Sequence, residues 1–144
     1  MFGSLFSSKY KKLVKEWTKE HKKIVELAGK IIDSYTKDDL KTTKKTLKSL
    51  YEIASMHLMT EDLEFYRMLK DKKKPDEHTQ ELIDEFTDSF KDTKAVLRDF
   101  LLTYTRDDAV LDDKFFQTFK EIVGVLAQRI EFEEQNLYEA LASK

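Results

Sequence analysis

Cysteine is absent from this sequence, proline occurs once and glycine three times. Without thiols the chain holds no disulfide, no thiolate-bound zinc or iron–sulfur cluster and no cysteine nucleophile. With so few breakers, long uninterrupted elements are expected. No apolar run is long enough to cross a membrane as a helix. The start, Met1-Phe2-Gly3-Ser4-Leu5-Phe6, is apolar only briefly before it turns basic, the reverse of a secretory signal. Residues 1–8 read as a short tail on a single domain spanning 1–144, with the cytoplasm as the default location.

What is present is charge and helical periodicity. Of the 144 residues 38% are charged and 40% apolar, with a net charge of only −2. That charge is split: residues 1–74 carry 18 Lys and Arg against 11 Asp and Glu, residues 75–144 carry 8 against 17. The halves should attract each other across one domain, and the same split offers a surface to a protein partner. Lysines are scattered without interleaved aromatics, which argues against nucleic-acid binding.

Four amphipathic segments emerge and no strand pattern does. The first runs from about Ser7 to Ser34 with Leu13, Trp17, His21, Ile24, Leu27, Ala28 and Ile31 along one stripe. Asp38 or Asp39 caps the second, which continues to Lys70. Pro75 suits the first turn of the third, whose stripe is His78, Leu82, Phe86, Val96, Leu97 and Phe100. Asp107/Asp108 or Asp112/Asp113 opens the fourth, with Phe115, Phe119, Ile122, Leu126, Arg129, Glu133 and Leu137. Four such helices with short connections predict an all-α, up-down-up-down antiparallel four-helix bundle.

Two stretches match at a constant offset of 72. His57 aligns with Arg129, Glu61 with Glu133, Asp62 with Glu134, Phe65 with Leu137, Tyr66 with Tyr138 and Leu69 with Leu141. Residues four apart share a helix face, so His57 with Glu61, and Arg129 with Glu133, stand one above the other on an apolar stripe. Buried imidazoles and carboxylates need partners, and iron or manganese is the usual one in a helical core. His21, His57, Glu61, His78 and Glu133 are the candidate ligands. Asp62 and Glu134 read as hydrogen-bonding support behind them. In antiparallel register His21 and His57 lie level across the first turn. The midpoint of His78 and the Arg129/Glu133 pair is about 104–105, just before the third turn, and this too supports one shared layer. The register of His78 with His57 is poorer, and Asp84 or Asp88 are the substitutes on the third helix.

These residues resemble the hemerythrin-like (HHE cation-binding) family, over nearly the whole chain from Trp17-Thr18-Lys19-Glu20-His21 to Leu141. The family pattern is a His on the first helix, HxxxE on the second, a His on the third and HxxxE on the fourth. It carries over to His21, to His57 with Glu61, to His78 and to Glu133. The resemblance implies a non-haem iron centre, two irons by preference and one as the alternative, that binds or senses dioxygen, nitric oxide or iron. The family's fourth-helix His is Arg129 here, and a guanidinium cannot ligate a metal. Turned inward, Arg129 would replace one cation; turned outward, it would leave room for two. The alternatives to a binding or sensing role are an oxygen- or peroxide-handling enzyme and a metal-depleted bundle acting as an interaction module.

Overall fold

A computed structural model describes residues 2–70 and 76–138, with side chains for 11–61, 63–64 and 76–138. Helix α1 spans Phe2–Thr36, α2 Leu40–Lys70, α3 Glu77–Phe90, α4 Thr93–Tyr104 and α5 Asp113–Phe132, and a π-helical turn, Glu133–Leu137, continues α5. Among the described residues there is no strand, and no helix is long and apolar enough to cross a membrane. The bundle is all-α. Residues 2–8, expected as a tail, continue α1.

The α1–α2 turn is made in three residues without glycine. Asp38 takes a left-handed backbone, φ 61°, which Asp tolerates better than most side chains. The Asp39 N–H donates to Ser34 O and the Asp38 N–H to Tyr35 O, closing α1. The Asp39 carboxylate then accepts from Thr42 N and opens α2. Pairs across the turn follow antiparallel order: Ser34 meets Thr43 at 2.6 Å, and farther up His21 meets His57.

The third helix departs from expectation. It is broken at Lys91–Asp92 into α3 and α4. Asp112, whose carboxylate accepts from Phe115 N, opens α5, so the connection extends over 105–112. Lys44 Nζ of α2 holds that connection through Asp107 O and Ala109 O, at 2.6 and 3.0 Å. The turn therefore centres later than 104–105, and Phe86 rather than His78 comes level with Arg129. The buried face of α3 is Thr79, Ile83 and Phe86. His78, one residue before Thr79, is rotated about 100° off that face and is exposed.

Helix α1 packs on α2 and α5, α4 packs on both α2 and α5, and α3 packs on the π-helical turn. One large apolar cluster, including Ile31, Leu47, Leu50, Leu101, Phe115 and Phe119, fills the end near the α1–α2 turn. A second, Trp17, Ile83, Phe86, Leu137 and Tyr138, fills the other. Between them lies a buried polar layer of His21, His57, Glu61, Arg129 and Glu133.

Leu50 is wholly buried in the larger cluster. Leu50→Ala should destabilise the protein by about 2–5 kcal/mol, read as a shift in urea unfolding. Val110→Ala, at a 73% exposed position, should leave the midpoint unchanged.

Candidate metal centre

The polar layer is built from α1, α2, α5 and the π-helical turn that continues α5. His21 comes from the middle of α1, His57 and Glu61 from successive turns of α2, and Glu133 from the start of the π-helical turn. All four are at most 2% exposed, and one ligating atom from each can be chosen so that all lie within 4.8 Å of one another. His21 Nε2 lies 3.0 Å from His57 Nε2, 3.4 Å from Glu133 Oε1 and 3.8 Å from Glu61 Oε1. His57 Nε2 also faces Glu61 Oε1 directly.

The outer nitrogens decide what the inner ones present. His57 Nδ1 meets Glu20 Oε1 at 3.2 Å, and His21 Nδ1 meets Glu134 Oε1 at 3.4 Å. An ionised carboxylate only accepts, so each Nδ1 carries a proton and donates it. With neutral rings, both Nε2 atoms are then lone pairs aimed at each other and at carboxylate oxygens. Acceptors facing acceptors in a buried layer repel unless a cation lies among them. Both Glu61 oxygens lack a hydrogen-bond donor among the described residues. The donor set, two imidazoles and two carboxylates, suits iron or manganese, and the residues present fit such an ion.

Protons fill the role when no metal does. Burial alone would lower the His21 pKa, but Glu133 and Glu61 outweigh it and hold the ring protonated up to about 10. Glu133 is pushed up to about 8 by burial and by its contact with Glu61. Glu61 goes the other way: burial opposes its charge, but the nearby Glu133 carboxyl and the His21 and His57 rings outweigh burial and keep it ionised. Two carboxylates in one buried site divide the burden in this manner, one ionised and one protonated.

A family model for the hemerythrin HHE cation-binding domain matches residues 12–141. The chain belongs to this family. No curated protein and no solved structure matched it. Hemerythrin HHE domains bind cations, and the cluster described above is where this member gathers suitable ligands.

Of the expected ligands in this HHE domain, His21, His57, Glu61 and Glu133 come together. His78 does not, because the later turn and the rotation of α3 leave it exposed, and Asp84 and Asp88 are exposed too. Glu134, exposed on one side, supports His21 from behind. The Asp62, Phe65 and Tyr66 side chains and Leu141 lie outside the described residues. Arg129 turns inward, its Nε 3.6 Å from Glu133 Oε1.

Two participants escaped the sequence reading. Glu20 supports His57 while also lining an open groove of about 440 Å³ with Lys19, Lys23, Glu52, Ile53 and Met56. Only the α1–α2 crossing brings it there; its sole sequence signal is adjacency to His21. In the sequence Tyr138 stands out only as the repeat partner of Tyr66, yet its hydroxyl lies 3.2 Å from His21 Nε2 and donates to Glu133 Oε2 at 3.3 Å. The π-helical turn brings the residue five places on, instead of four, back over Glu133. Burial, then the charges of Glu61 and Glu133, push the Tyr138 pKa upward, so it stays a neutral donor.

At neutral pH the metal-free centre thus holds protons on His21 and Glu133, and a cation must expel both. Affinity should fall as pH drops below about 10, where His21 gains its proton, and more steeply below about 8, where Glu133 does. About two protons should be released per cation bound at neutral pH, counted by calorimetry in buffers of different ionisation enthalpy. Glu20→Gln should weaken cation binding by about 10–100-fold without loss of helical circular dichroism.

Proposed function

We propose that this HHE domain holds iron on His21, His57, Glu61 and Glu133 and that the iron binds dioxygen or nitric oxide. The observation that supports this most is the pair of buried Nε2 atoms 3.0 Å apart, each backed by a carboxylate at Nδ1. Such backing fixes the tautomer and makes each imidazole a stronger ligand. Four protein donors leave positions open on a six-coordinate ion. Bound iron would supply a vacant coordination position and a redox couple for a diatomic gas.

The chain supplies the surroundings. Trp17, its ring tilted against Tyr138 at 5.5 Å and edge-on to His57 at 6.4 Å, packs on the layer from the side of the smaller cluster with Leu137. Among the described residues, His21, His57, Glu61 and Glu133 are at most 2% exposed. The Tyr138 hydroxyl, already within hydrogen-bond reach of His21 and Glu133, is placed to donate to a small ligand. A binding or sensing role accords with this enclosure better than turnover of a larger substrate.

Arg129 favours a second reading, a bundle whose polar core persists without metal and which serves as an interaction module through its charge-split surface. Metal content separates the two. Protein from iron-supplemented cells should contain iron and show near-ultraviolet charge-transfer bands that change with nitric oxide under anaerobic conditions. His57→Ala should lower iron affinity by more than the about 10–100-fold expected for a supporting carboxylate. A colourless wild-type protein that neither takes up iron(II) nor is stabilised by it would overturn the iron reading.

A further inference from the structure

The internal repeat breaks at one residue, and the structure shows where that residue puts its charge. His57 and Glu61 stand one turn apart on α2. Arg129, in the last turn of α5, and Glu133, at the start of the π-helical turn, hold the matching positions. Arg129 is 4% exposed. Its guanidinium carbon lies 4.7 Å from the centre of the Phe86 ring, and its Nε 3.6 Å from Glu133 Oε1. Nε and Nη2 have no hydrogen-bond acceptor among the described residues. A buried guanidinium normally engages a carboxylate through two parallel hydrogen bonds. Here an aromatic face and a longer contact to Glu133 take the place of that pairing at Nε and Nη2.

We propose that Arg129 stands in the place of a second cation, so that the centre takes one divalent ion and not a pair. This rests on the iron-binding reading above and fixes its stoichiometry. The four gathered donors suffice for one ion. A second ion sharing Glu61 and Glu133 would need its own imidazole from the α5 position that matches His57. That position carries a permanent cation which only donates hydrogen bonds. Helix α3 offers no replacement at this level: Phe86 is the residue there, and its ring face is taken by the guanidinium. His78, Asp84 and Asp88 face solvent. A second dication would also lie beside a fixed like charge in a buried layer, where water screens neither.

The experiment is a cation count with two probes: iron(II) by anaerobic equilibrium dialysis, and manganese(II) by electron paramagnetic resonance. Wild-type protein should bind one iron(II) per chain and give the six-line spectrum of isolated manganese(II). Arg129→His, which restores the repeat, should bind two per chain, with a spectrum broadened by coupling between neighbouring ions. Arg129→Gln removes the charge without adding a ligand; it should keep one site and bind iron(II) about tenfold more tightly, since the ion no longer competes with a guanidinium for Glu133.

Two ions per wild-type chain would overturn the inference and leave the iron-binding reading standing. No ion at all would overturn that reading, and the inference with it. A folded Arg129→His variant that still takes one ion would show that Arg129 does not limit the count. Should that variant fail to fold, the wild-type count and Arg129→Gln decide: unchanged or weaker binding by Arg129→Gln refutes competition for Glu133.

Discussion

Two imidazole nitrogens aimed at each other from neighbouring helices, with two carboxylates around them, form an arrangement that cannot stand by itself. In water each would be hydrated; here all four groups are at most 2% exposed. A cation must lie among them, whether a proton or a metal ion. The rest of the bundle makes this constraint tolerable. Apolar clusters above and below hold the helices at the spacing the layer needs. Carboxylates from outside the layer, Glu20 and Glu134, set the direction each ring faces. Since both are partly exposed, their charge is stabilised by water at one end and used at the other.

Local devices set the register of this layer. The tight α1–α2 turn leaves no slack, so His21 and His57 meet where counting from the turn places them. The α4–α5 connection is longer and is held by Lys44. That shift withdraws His78 from the layer and brings Phe86 to it. An aromatic face at this level is what a buried guanidinium can rest against, so the placement of α3 and the choice of Arg129 are consistent with each other.

Membership in the hemerythrin HHE cation-binding family and the replacement at position 129 together describe a centre with one half of its internal symmetry kept and the other altered. His57–Glu61 keeps its imidazole and its carboxylate in the layer. Arg129–Glu133 sets a guanidinium beside a carboxyl group that still faces the centre. The π-helical turn that begins at Glu133 belongs to the altered half and brings the Tyr138 hydroxyl over the layer. Extra residues in a helical turn commonly occur where function asks for a side chain that α-helical spacing would aim elsewhere.

The sequence by itself determined that the chain is an all-α bundle, because helical periodicity and the shortage of glycine and proline are local properties. It also located His21, His57, Glu61 and Glu133, since spacing of four on an apolar stripe and distance from a tight turn need no tertiary information. Only the folded structure decided the rest. His78 sat on a stripe that could be drawn through Leu82 as well as through Ile83, and two adjacent faces of a helix differ by a rotation that sequence does not fix. Glu20 and Tyr138 reach the centre through a helix crossing and a π-helical turn, neither of which has a repeating signature. Whether Arg129 turned in or out depended on Phe86 being level with it, and that level was set by the length of a connection many residues away.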